Sequence, residues 1–226
     1  MMNMEQHTRL VLDTTTKLTK PKINASFLLA LVLITFVACS QDTSIYALDE
    51  TGPVNTAEDA ADDPAIIINY KNPSASLFFG TDKTAGVYLY DLKGMQQSFS
   101  PLGAINNIDV RQKNSEIYLA ATNRSNQSVG FWVIDQKTFF ANNHESQDVF
   151  SISKRAFNIF SSIDIYGICM GMIGGTPVAF VTEDRGPKVE LWTLENQKLI
   201  GVFDNGGESE GCVFDDENQT LFISEE

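Results

Sequence analysis

The chain has 226 residues, 43% hydrophobic and 10% aromatic, ordinary for a sequence that buries a core, and its 29 acidic residues against 16 basic ones give a formal charge of −13. That balance excludes a nucleic-acid phosphate backbone as partner, because such binding draws on clustered Lys and Arg. With two histidines and three cysteines, the chain has almost nothing from which to build a histidine zinc centre or a Ser-His-Asp triad.

The first element is a targeting segment. Lys17, Lys20 and Lys22 precede an apolar run from Phe27 to Ala38, followed at once by Cys39. The run is shorter than the roughly 20 residues that cross a bilayer and suits the apolar region of a signal peptide. Phe36-Val37-Ala38-Cys39 resembles a bacterial lipobox, so residues 1–39 are expected to be a signal peptide of lipoprotein type, with ordinary secretion as the alternative. The protein is then exported: a periplasmic or outer-membrane lipoprotein held at a membrane surface by its lipid, or a secreted protein. Residues 40–60 are polar, carry Gly52 and Pro53, and read as a flexible linker.

From Ala61 onward the chain reads as short strands at 65–68, 76–80, 86–91, 107–111, 116–122, 129–134, 165–172, 177–183, 188–194, 198–203, 211–214 and 220–224, rich in Val, Ile, Phe and Tyr and separated by turn residues. One stretch, 152–161, reads as a short helix. Cys169 and Cys212 lie in apolar, glycine-flanked strands and are expected as buried free thiols, and His144 is placed in a polar loop.

The class is all-β. A phrase of apolar strand, charged turn and apolar strand recurs from Ser76, Glu116 and Pro177, about 40 and 60 residues apart, with a fourth copy opening at Thr220. An inserted loop over 136–164 accounts for the longer interval. Repeats of ~40–50 residues predict a β-propeller. Residues 61–226 supply three to four blades, at the lower edge of what closes a propeller, so the domain is expected to be incomplete or to belong to a larger protein.

Acidic residues gather at the strand ends: Asp62 and Asp63, Asp109, Glu208 and Glu210, Asp215 and Asp216, and Glu225 with Glu226. Ligands that offer oxygen alone, with no His or Cys, favour Ca²⁺. At corresponding turns stand single cations, Lys83, Arg124 and Arg185. Cations beside metal-binding carboxylates suit phosphate esters. For any one of these residues, a solvated turn is the competing reading.

The strings "ADDPAIIINYKNPSASLFFGTDKTAGVYLYDLKG", "NNIDVR", "ATNRS", "DIYGICM", "VELWTL" and "SEGCVFDDENQTLFISEE" resemble the β-propeller phytases, calcium-dependent alkaline phytases of bacteria. The resemblance spans 61–226 and implies a six-bladed propeller, of which this chain covers three to four blades, that binds several Ca²⁺ ions and hydrolyses phytate, free or as calcium-phytate, with metal-activated water. Carried over, Asp63, Glu210, Glu225 and Glu226 would be calcium ligands, with Asp62 and Asp109 as further metal candidates. Lys83, Arg124 and Tyr166 would contact substrate phosphate. Glu210 and Arg185 are the catalytic candidates, although the family commonly has Lys followed by an acid where this chain reads "VTEDRGPK". The expected function is a calcium-dependent phosphomonoesterase acting on phytate as a monomer. The alternative is an accessory module that captures calcium-phytate without turnover. A one-calcium propeller lactonase would have no need of Lys83 and Arg124.

Overall fold

Strand β6 (Glu116–Asn123) shows how the repeats become layers. Its odd residues Ile117, Leu119 and Ala121 pack into one core cluster and its even residues Tyr118 and Ala120 into another, all of them buried. A strand covered on both faces has no solvent side, which is why it reads as a continuous apolar run and not as alternation. Strand β10 (Thr176–Glu183) repeats the pattern, with Ala179 and Val181 in one cluster and Val178 and Phe180 in the next.

The computed structural model describes residues 45–142, 144 and 148–225; the leader, Cys39 and Glu226 fall outside them. Met1–Tyr46 and Ala47–Glu226 are separate units, and the second is described below. Its described residues form an all-β, propeller-like stack of antiparallel sheets. The first contains β1 (Ala61–Ile67), β2 (Leu77–Asp82), β3 (Gly86–Asp91) and β4 (Gln96–Ser100). The second contains β5 (Ile105–Lys113), β6, β7 (Ser128–Asp135) and β8 (Arg155–Phe160). The third contains β9 (Ile165–Ile173), β10, β11 (Lys188–Thr193) and β12 (Lys198–Asp204), and β13 (Ser209–Asp215) pairs with β14 (Thr220–Glu225) as a hairpin. The first strands neighbour one another in order, β1 beside β5, β5 beside β9 and β9 beside β13. Each sheet is therefore a blade, and three apolar layers fill the spaces between successive blades.

Turn chemistry sets the register. In the β5–β6 turn Asn114 and Ser115 have φ of 52° and 65°, and in the β9–β10 turn Gly174 and Gly175 have 57° and 85°. Two consecutive positive φ values make the tight hairpin whose twist matches that of the strands. Residues 47–60 lack regular structure but run along the first blade: the Asn55 amide donates to the Tyr88 hydroxyl at 3.1 Å, and Ala60 is buried.

Four sequence expectations are corrected. Over 152–161 there is no helix: Val149–Ile152 is a 3-10 turn and Arg155–Phe160 is the outer strand β8, with Ile159 buried and its sequence neighbours Asn158 and Phe160 exposed. The helix lies at α1 (Gln136–Ala141), where the Asp135 carboxylate accepts the Thr138 amide at 2.8 Å and caps its start. The insertion is accordingly shorter than 136–164, since its last segment completes a blade. His144 is no loop residue in water; it is buried with its ring 4.9 Å from that of Phe139, and burial lowers its pKa.

The fourth correction concerns the thiols. Cys169 and Cys212 form a disulfide, with Cα atoms 5.6 Å apart, because adjacency of β9 and β13 sets them side by side. That adjacency is a property of the fold and has no local sequence signal. The bond closes a loop of 43 residues, for which the chain-entropy estimate is about 4 kcal/mol. Replacing both cysteines with serine should lower stability by about that amount in urea unfolding, and reductant should bring the wild type down to the same level. A reductant-insensitive midpoint would contradict the crosslink.

Candidate functional site

The same irregularity opens each of the four inner strands. Between the pairs Ala61↔Asp82 and Pro64↔Gly80, two residues of β1, Asp62 and Asp63, face one residue of β2, Thr81. Asn106 and Asn107 face Thr122, Tyr166 and Gly167 face Thr182, and Glu210 and Gly211 face Ser224. These are β-bulges, which re-aim side chains at the end of a strand.

The threonines hold the bulges in place. The Thr81 hydroxyl accepts the Asp63 amide at 2.9 Å and donates to the Asn106 carbonyl of the next blade at 2.7 Å. The Thr122 hydroxyl accepts the Asn107 amide at 3.2 Å and donates to the Tyr166 carbonyl at 2.7 Å. Thr182 accepts the Gly167 amide at 2.9 Å. All three threonines are buried, so each hydroxyl joins a bulge to its own blade, and two of them also tie it to the next. Gly167 is required here: a Cβ at this position would lie 2.0 Å from the Glu210 carbonyl.

The leading bulge residues Asp62, Asn106, Tyr166 and Glu210 therefore come to equivalent places at one end of the inner strands. Asn106, fully buried, donates from Nδ2 to Glu210 Oε1 at 2.7 Å, and its Oδ1 accepts from Arg124 Nη1 at 3.4 Å. The Arg124 guanidinium lies over the Tyr166 ring, 5.3 Å from its centroid, a cation–π arrangement. Arg124 Nη2 donates to Asp184 Oδ2 at 3.2 Å. Lys83 reaches Asp59 at 2.8 Å and Asp62 at 3.4 Å, and its pKa is raised, chiefly by the bond to Asp59. Burial and then repulsion from Glu210 raise the Asp62 pKa. Six sequence candidates thus fall into two settings. Asp62, Lys83, Arg124, Tyr166 and Glu210 share the mouth, whereas Asp63 sits just below it.

Asp63 and the remaining candidates bond to backbone or to neighbouring strands. Asp63 Oδ2 accepts the Ile108 amide at 2.9 Å and so straps β1 to β5; burial pushes its pKa up to about 6. Asp109 accepts the Met170 amide at 2.8 Å and Arg111 Nη1 at 3.0 Å, strapping β5 to β9. Burial raises its pKa against the pull of Arg111. Arg111 also donates to Asp216 at 3.0 Å and to the carbonyls of Met170 and Phe214, joining β5, β9 and β13 at one guanidinium. Glu225 pairs with Ser209 at the register that Asp82 and Asn123 hold in the first two blades. Glu208 accepts the Arg185 amide at 2.8 Å, and Asp215 caps its own turn through the Glu217 and Asn218 amides.

Arg185 stands one residue beyond the repeat position. Lys83, Arg124 and Asp184 each donate a backbone amide to the residue two before the bulge, respectively Ala60, Ala104 and Asp164, at 2.9, 2.8 and 2.8 Å. Arg185 follows, with φ of 55° and its side chain 80% exposed. Sequence inspection passed over Asn106, Asp59 and Asp184. Asn106 was available in "NNIDVR", since the first Asn aligns with Asp62 once the bulges are matched.

Donor chemistry at the mouth suits a hard cation, for Asp62, Glu210 and the amide oxygens are oxygen ligands. Among the described residues, however, no group of three or more His, Cys, Asp or Glu stands close enough together to hold an ion. The fit is in kind and covers two carboxylates.

The sequence profile of the family described as Phytase matches residues 21–226. The 3-phytase of Bacillus subtilis strain 168 is 31% identical over an alignment of 195 positions that covers 80% of this chain and 50% of that protein. The chain therefore spans about half the length of this curated relative. Among solved structures it is similar to Saccharomyces cerevisiae Sqt1, with a TM-score of 0.46 and 11% identity over 71% of this chain and 42% of that one.

A raised carboxyl pKa in the fold costs stability once the group must ionise. Below about 4 Asp63 is protonated in both folded and unfolded chains; between about 4 and about 6 only the unfolded chain loses its proton, so stability falls as pH rises. In metal-free protein, the stability of wild type relative to Asp63→Asn should drop by up to about 3 kcal/mol across that window and level off above it, read from urea midpoints at pH 4 and pH 7. A flat difference would place the Asp63 pKa at its ordinary value.

Proposed function

The chain belongs to the Phytase family, and from that membership and the mouth geometry we propose that it takes part in hydrolysis of phytate phosphomonoesters at the bulged ends of its inner strands. The observation that carries the reading is the pairing of Arg124 with Tyr166, Asn106 and, through Asn106, with Glu210, because it brings a phosphate-holding cation of the second blade, an aromatic ring of the third and a carboxylate of β13 to one place.

Each side chain then has a task. Arg124 presents a planar fork of donors that matches two phosphate oxygens, and the Tyr166 ring backs it. Lys83, one blade away, holds a second oxygen or a neighbouring phosphate as a point charge. Asn106 fixes the distance between Glu210 and Arg124 by donating to one and accepting from the other. Hydrolysis is an in-line displacement at phosphorus: the water oxygen bonds to phosphorus, the bond to the inositol oxygen breaks, a proton from the water ends on that oxygen to release the hydroxyl, and the equatorial oxygens stay held by Arg124 and Lys83. We further propose calcium as the cation, with Asp62 and Glu210 as its holders in this chain and Asp63 behind them. When bound, it would neutralise phosphate charge and the mutual repulsion of the two carboxylates. Arg185, exposed beside Asp184, would steer anions toward the mouth. Glu225 and Glu226 remain proposed ligands by resemblance, the latter outside the described residues.

Export belongs to the same reading. The Cys169–Cys212 disulfide suits an oxidising compartment, and with the leader it supports a periplasmic, outer-membrane or secreted location.

Purified protein should release inorganic phosphate from phytate in calcium and lose that release on chelation. Arg124→Ala should reduce kcat/KM at least about 100-fold, as removal of a charged phosphate contact does, while the calcium-dependent shift in Tm persists. Phytate binding without release would assign the capture role instead. Unchanged kinetics in Arg124→Ala would remove this residue from the site.

A further inference from the structure

The first and second blades carry a cation on the turn after the second strand, and the third carries an acid. The backbone equivalence of Lys83, Arg124 and Asp184 leaves no freedom to slide Arg185 into that place, since the three amides make the same bond to the chain before each bulge. Asp184 is not turned to water: its side chain is 16% exposed, and Oδ2 lies 3.2 Å from Arg124 Nη2 and 3.5 Å from Arg185 Nη2. Arg124 is 37% exposed, so the fork it offers to solvent is already shared with an internal carboxylate. Lys83 is in the same condition, held by Asp59 and Asp62.

Asp184 meets Arg124 through one oxygen on one nitrogen, Oδ2 on Nη2, and a phosphate oxygen seeks the same charged N–H, so the two compete for that donor. We propose that Asp184 is a specificity-determining residue that occupies Arg124 until a substrate phosphate displaces it. The inference rests on the assignment of Arg124 as a phosphate contact. Displacement costs an ion pair, and the entering phosphate also meets the Asp184 charge. A lone phosphate has only the Arg124 contact to offset that cost, whereas an ester bearing several phosphates engages Lys83 as well. Asp184 thereby biases the mouth toward densely phosphorylated ligands and against single phosphates.

Calorimetric titration of the full chain with inorganic phosphate, and separately with myo-inositol hexakisphosphate, in calcium-free buffer tests this. Asp184→Asn, which keeps the shape and removes the charge, should tighten inorganic phosphate by about three- to tenfold, the scale of a partly exposed ion pair, and tighten hexakisphosphate by less. Asp184→Ser should do the same. In an Arg124→Ala background, Asp184→Asn should change neither affinity by more than about twofold, because the competed cation is gone. Unchanged or weaker phosphate binding in Asp184→Asn overturns the proposal and leaves the Arg124 assignment standing. An equal gain in the Arg124→Ala background also overturns it, by showing a general charge effect. If binding requires calcium, the same affinity ratios are read with calcium present, and failure of wild type, Asp184→Asn and Asp184→Ser to bind either ligand with calcium as well overturns both the proposal and the phosphate role of Arg124.

Discussion

In the first three blades the mouth depends on a buried threonine hydroxyl that accepts from a bulged amide in its own blade and, in the first two, donates to the next. A hydroxyl is both donor and acceptor and is small enough to sit inside a bulge. Valine would fill the same volume and leave two buried backbone groups without partners, the costly case. With Thr81, Thr122 and Thr182 in place, the leading bulge residues of the first three blades arrive at the same height, and Glu210 joins them from a bulge opposite Ser224. The family of side chains at that height is free to vary: acid, amide, phenol, acid.

Much of this fold was legible because a strand between two blades must be apolar on both sides, and sequences such as "EIYLAAT" and "PVAFVT" say so directly. Strands that lie at a blade's outer edge were harder. "QQSFS" and "RAFNIF" carry polar residues toward water, so β4 went unread and β8 passed for a helix. The turn cations were legible as a repeated feature, yet their register was not. "VTEDRGPK" invites alignment of Arg185 with Lys83 and Arg124, and only the backbone bonds to Ala60, Ala104 and Asp164 show that Asp184 holds that place. The disulfide was illegible for a related reason, since Cys169 and Cys212 meet through the packing of β9 on β13 and no local pattern encodes that contact.

The net charge of −13 looks hostile to a phosphate ligand until its arrangement is considered. Acids along the inner strands and in the turn after β13 are committed to structure: Asp63 and Asp109 accept amides from neighbouring blades, and Asp109 and Asp216 share Arg111. Acids at the mouth hold its cations, Asp59 and Asp62 on Lys83 and Asp184 on Arg124. These acids are thus locally compensated, and in the proposed reading an arriving anion would exchange partners with resident carboxylates in place of entering an empty basic pocket.

The bond between Cys169 and Cys212 also changes how the molecule answers a pulling force. Hydrogen-bonded strands under load come away rung by rung. A tug on the far end of β14 would peel that strand off and then lift β13 from its turn back to Cys212, where tension passes through sulfur into β9 and the whole third blade. Glu210 lies on the sheltered side of that junction, two residues further in. Under such a load β14 would fray while this carboxylate kept its station beside Asn106.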